Sequence, residues 1–158
     1  MDNDAFRDTY RAVNTRACVF EKTILTNNGA CSLAQKFCIA EREGVRCGAD
    51  AALADCSELL TTLRRQARFT LKTIAADATP GADALPHAKA MRIQVGGLRG
   101  LQAALTPDQP VPVRIADIRD TVRTALARFG GLDALPFQDI IKQIAAYQGR
   151  RRGLKTRK

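Results

Sequence analysis

The sequence predicts an all-α fold: a compact bundle of about six helices, its cysteine-bearing N-terminal three-helix half packed on a C-terminal three-helix half. Three observations lead there. Alanine, leucine and arginine dominate the 158 residues, and these favour helices by propensity. Alternating runs of Val, Ile, Thr and aromatic residues, which mark half-buried strands, are absent. Apolar residues instead recur every three or four positions through most of the chain.

Phe6, Tyr10, Val13, Ala17, Phe20 and Ile24 lie on one face of a helix over 4–26, stopped by Asn27-Asn28-Gly29. Ser32 is placed to cap a second helix, with Leu33, Phe37 and Ala40 inward and Gly44 as its break. Cys47-Gly48 reads as a loop. Asp50 then caps a long third helix through Ala76, with a stripe of Leu53, Cys56, Leu60, Leu63, Ala67 and Ile74. Residues 77–85 hold Ala-Thr-Pro-Gly-Ala-Asp and read as a linker.

Pro86 opens a fourth helix reaching Leu105, which contains Gly96, Gly97 and Gly100. Glycine costs about 1 kcal/mol against alanine inside a helix. Three of them predict a kink or a very close neighbour, and the expectation is an approach toward the cysteine side of helices one to three. A loop with three prolines follows. Ile115, Ile118, Val122, Ala125 and Phe129 define a fifth helix ended by Gly130-Gly131. Pro136 opens a sixth, with Phe137, Ile140, Ile141, Ile144 and Tyr147 inward. Residues 1–149 therefore read as one helical domain (1–76 cysteine-rich, 77–85 linker, 86–149 second half), followed by a basic tail at 150–158.

Charge is concentrated in that tail. Arg150, Arg151, Arg152, Lys155, Arg157 and Lys158 supply +6 of the formal +9, so the body is close to ordinary. Such a tail can hold nucleic-acid phosphates without sequence preference, or remain a solvated terminus. The acidic start lacks the basic and apolar segments of a secretory leader, and no apolar run is long enough to span a bilayer, so cytoplasmic residence is expected and membrane association is not.

All five cysteines fall between Cys18 and Cys56, spaced 13, 7, 9 and 9 residues apart. In a reducing compartment an odd, clustered set points to metal ligation or redox chemistry before disulfides. Cys18 and Cys38 lie off the apolar faces of their helices. Cys31 and Cys47 sit just before helix starts, where the positive helix end favours a thiolate. Cys56 occupies a core stripe.

Zinc knuckles bring two ligands from one Cys-x2–4-Cys, and no pair here is that close. Iron–sulfur clusters accept cysteines from separated elements, although the ferredoxin run is missing. The expected cofactor is therefore an iron–sulfur cluster of the 4Fe-4S type, with zinc as the alternative. Its ligands are four of Cys18, Cys31, Cys38, Cys47 and Cys56. Cys56 is the one expected to be spare, and Cys38 the next to be set aside.

No catalytic constellation emerges. The only histidine, His87, reads as a capping or surface residue, and Gly96-Gly97-Leu98-Arg99-Gly100 has neither the spacing nor the preceding strand of a dinucleotide loop. The leading function is an iron–sulfur protein with a redox, sensing or structural role and an unidentified redox or protein partner. The alternatives are a zinc-stapled or metal-free adaptor using its basic tail, and a thiol-based redox or sulfur-handling enzyme.

Overall fold

A computed structural model describes residues 3–71 and 86–149. The expected linker at 77–85, the last turn of the third helix and the basic tail lie outside the described residues.

The fold is mostly helical but is not all-α. Ala34–Ile39 (β1) and Arg42–Cys47 (β2) form an antiparallel hairpin where the sequence predicts a second helix. Ala34 faces Cys47, Lys36 faces Val45, and Cys38 faces Glu43 across it. Leu33, Phe37 and Ala40 match a helical period, yet the chain turns at Ala40-Glu41, both in the left-handed region at φ 46° and 70°. Positive φ at both central residues is the geometry of a two-residue hairpin turn. The face holding Val45 enters the core. The opposite face, with Phe37 and Gly44, is covered by a helix.

That covering helix is α1, Asn3–Val13. The predicted 4–26 helix is broken after it. Asn14 is buried, and its side-chain amide donates to the Val45 carbonyl at 3.1 Å and to the Tyr10 hydroxyl at 2.9 Å. An asparagine that bonds a backbone group outside the helix competes with helical continuation. Residues 16–18 then run extended beside β2. Ala17 bridges Arg46, Cys18 N–H donates to the Val45 carbonyl and Cys47 N–H donates to the Arg16 carbonyl. Helix resumes only at α2, Glu21–Leu25. The apolar stripe thus spans two helices and an extended segment, and Phe20 and Ile24 still reach the core.

Helix α3 runs Asp50–Leu71, starting where the sequence places it. The fourth predicted helix is a near-continuous rod of α4 (His87–Met91), a π-helical segment (Arg92–Gly96) and α5 (Gly97–Leu105). α6 (Ile118–Phe129) is capped by the Asp117 carboxylate and ended by Gly130 at φ 88°. A 3₁₀ turn (Leu132–Ala134) leads into α7 (Phe137–Ala146).

The core joins both halves of the chain: Phe20, Val45, Leu59, Leu63, Ile93, Leu98, Leu101, Ile118, Ile140 and Ile144 pack in one cluster. Glycines allow its closest approach. A Cβ on Gly100 would lie 2.6 Å from the Ile140 Cα, and one on Gly97 would lie 2.7 Å from Leu63 Cδ1. The glycine face therefore packs mainly on α7. This corrects the expectation that these glycines bring the helix toward the cysteine side of helices one to three, although Gly97 does meet α3. No helix among the described residues is long and apolar enough to cross a membrane.

Candidate metal centre

Strand register places the cysteines. Ala17 pairs with Arg46, so Cys18 lies opposite Val45 on the core face of β2, the face that also bears Cys47 two residues on. Residues directly opposite in an antiparallel pair share a face. Cys31 enters from the other side. Its carbonyl accepts from Ala34 N–H at 3.1 Å in the turn that starts β1, and Ala34 is the partner of Cys47. Three residues after Cys47, α3 begins, and its second turn presents Cys56.

Cys18, Cys31 and Cys56 all pack at half-buried positions against the main core cluster. The Cys47 thiol donates to the Ala49 carbonyl at 3.3 Å.

Electrostatics shows the same convergence. Burial pushes the Cys18 thiol up to about 11; a backbone hydrogen bond at Phe20 opposes this, and the neighbouring Cys31 and Cys47 add to the rise. Cys56 is pushed up to about 12, by burial first and then by Cys18 and Cys31; Arg119 acts against this, and Cys47 adds a smaller upward push. Cys31 and Cys47 therefore lie near enough to act on both Cys18 and Cys56. Desolvation, with a smaller contribution from the neighbouring thiols, keeps Cys18 and Cys56 protonated at neutral pH.

Cys38 is elsewhere. It is exposed and paired with Glu43 at the turn end of the hairpin. Four residues of strand separate it from Ala34, or about 13 Å at 3.3 Å per residue.

Cys18, Cys31, Cys47 and Cys56 thus lie toward the Ala34–Cys47 end of the hairpin, and Cys38 lies at its turn end. Cys56 lies on the apolar stripe of α3 and packs against the same core cluster as Cys18 and Cys31. The helix-start argument for Cys31 does not survive, because β1 rather than a helix follows it. Among the described residues, no group of three or more His, Cys, Asp or Glu side chains is arranged to hold a single metal ion.

Residues that the sequence did not single out brace the site. Asp117 Oδ1 accepts from Ser32 N–H at 3.0 Å and from Ser32 Oγ at 3.3 Å. Its carboxyl is held below the usual carboxylate range: burial pushes it up, but hydrogen bonds from Ser32, Asp120 and Arg119 outweigh that. Arg119 Nη1 donates to Asp55 Oδ2 at 2.9 Å, one residue before Cys56. Arg16 pairs with Asp50 at 2.9 Å where α3 begins.

His87 is exposed, with Nδ1 3.2 Å from Lys22 Nζ. The tail residues Arg150, Arg151, Arg152, Lys155, Arg157 and Lys158 lie outside the described residues. Comparison of the chain with protein-family models, with curated proteins and with solved structures finds no match.

Proposed function

We propose that this protein binds an iron–sulfur cluster through Cys18, Cys31, Cys47 and Cys56, and uses it for electron transfer, sensing or structural support. The observation that carries the reading is the placement of these four cysteines, from four separate segments, around the Ala34–Cys47 end of the hairpin, three of them against the same core cluster. The donor set fits: four soft sulfur ligands suit iron–sulfur or zinc. A tetrahedral zinc holds thiolates at about 2.3 Å, which brings its sulfurs within about 4 Å of each other. An iron–sulfur cluster is larger and takes its thiolates from more widely separated segments, as these four cysteines are. The hydrophobic surroundings would keep water from the centre, and a reducing cytoplasm would keep the ligands as thiols.

The test is anaerobic purification of the full chain, or reconstitution with ferrous iron and sulfide. Brown protein containing iron and acid-labile sulfide in near-equal amounts is expected. Cys38→Ser should leave both unchanged, whereas serine at Cys18, Cys31, Cys47 or Cys56 should each lower them sharply. Colourless protein carrying zinc would replace the cluster by a zinc site. Five titratable thiols and no metal would end the reading.

A further inference from the structure

We infer that the amino end of α6 is a clamp that positions Cys31 and Cys56, with Asp117 and Arg119 as its positioning residues; its consequence for metal retention rests on the iron–sulfur reading above. The four cysteines are held in two different ways. Cys18 and Cys47 are fixed by main-chain bonds to the two ends of one strand pairing, Cys18 N–H to Val45 and Cys47 N–H to Arg16. Side-chain substitution hardly reaches such bonds.

Cys31 and Cys56 depend on a segment far away in sequence. Around Cys31, Ala30 N–H donates to the Ile115 carbonyl at 3.0 Å, Ile118 N–H donates to the Ala30 carbonyl at 2.8 Å, and Ile115 N–H donates to the Asn28 carbonyl at 3.0 Å. Asp117 adds its bonds to Ser32 N–H and Oγ, while its Oδ1 also accepts from Arg119 N–H at 3.1 Å to cap the helix. One carboxylate therefore ties the start of α6 to the residue after Cys31.

Arg119, in the same turn, reaches Asp55 Oδ2 at 2.9 Å. This pair, at 22% and 40% of the side-chain surface, is less exposed than Arg16–Asp50, Arg123–Asp120 and Lys142–Asp139. A single helical turn thus grips both segments, and each grip is a side-chain bond adjacent to a thiol. Groups that orient metal ligands in this way usually change metal affinity by about 10–100-fold when removed.

Two measurements on the full-length protein decide the matter. The first is independent of metal: maleimide labelling of the metal-free protein, followed cysteine by cysteine by mass spectrometry. Asp117→Ala should speed labelling of Cys31, and Arg119→Leu that of Cys56, each about tenfold or more, while Cys18 and Cys47 hardly change. Asp117→Asn, which keeps an acceptor oxygen, should restore most of the protection. Gly100→Ala is the control for general loosening and should raise all buried thiols together.

The second is the rate at which protein reconstituted with ferrous iron and sulfide yields iron to a chelator. Asp117→Ala and Arg119→Leu should release it about tenfold faster or more, and Arg123→Ala, in an exposed pair with Asp120 further along α6, at the wild-type rate. Unchanged or uniformly raised labelling in the clamp variants overturns the clamp. Wild-type protein that takes up no iron overturns the cluster reading instead, while the labelling still decides the clamp.

Discussion

Gly96 lies backbone against backbone on Ile144: a Cβ in its place would come within 2.6 Å of the Ile144 Cα. Gly100 repeats the relationship one turn later with Ile140. Main chain cannot move aside as a side chain can. Gly96→Ala and Gly100→Ala should therefore each cost about 1–3 kcal/mol or somewhat more. Gly97→Ala meets only the flexible end of Leu63, and regains up to about 1 kcal/mol of helix propensity. Urea unfolding midpoints should rank Gly97→Ala well above the other two.

The hairpin turn offers the opposite sign. Glu41 occupies the left-handed region at φ 70°, a conformation that costs a non-glycine residue about 1–2 kcal/mol. Glycine removes that cost, and returns part of the gain through a freer unfolded chain. Glu41→Gly should raise stability by roughly 0.5–1 kcal/mol, read as a melting temperature a few degrees higher.

Tyr10 links three elements. Its hydroxyl donates to Glu21 at 2.8 Å and accepts from the Asn14 amide, while Glu21 in turn accepts from Val45 N–H at 2.8 Å. Burial and the Glu21 hydrogen bond both push the phenol well above its ordinary value, so it stays a donor through the neutral range. Tyr10→Phe keeps the ring and removes the hydroxyl. A loss of about 1–2 kcal/mol is expected in chemical denaturation.

The thiols predict an alkaline limit. Cys18 and Cys56 rise from an ordinary 9.0 to about 11 and about 12 on folding. A group whose folded value is raised gives its full stability below the unfolded value and loses it as pH climbs toward the folded one. Metal-free protein should therefore lose stability from about pH 9 upward. Cys56→Ala should flatten that slope in unfolding curves taken across the range.

What could be read from the sequence follows from where its signals are local. Asp50 as the opening of α3, Gly130 as the end of α6 and Pro136 ahead of α7 are each set by one residue's backbone chemistry, and all are found where expected. The hairpin was hidden because Ala40-Glu41 carries none of the usual Asn-Gly or Asp-Gly signature. Its strand alternation was hidden too, because Lys36 opposite Val45 and Cys38 opposite Glu43 put no apolar row on that face.

The break after α1 escaped notice because Ala17, Phe20 and Ile24 keep a helical spacing while serving an extended segment and a short helix. At the cysteines, a helix-face argument set Cys56 apart from the others. Strand register and the Asp117–Ser32 bond, between residues 85 apart in sequence, are long-range relationships that no local pattern announces.

Helix α1 contributes no buried residue of its own and rests on the outer face of the hairpin through Phe6 and Tyr10. Sub-global opening starts where least apolar surface must be exposed. Amides of α1 should exchange with heavy water long before those of α5, whose Leu98 and Leu101 are fully enclosed. Such an opening would bare Phe37 and Gly44 while leaving the opposite face of β2 closed over its thiols. Such a door would swing at the cost of the Tyr10 bonds to Glu21 and Asn14, while the bonds of those two residues to Val45 hold the inner edge in place.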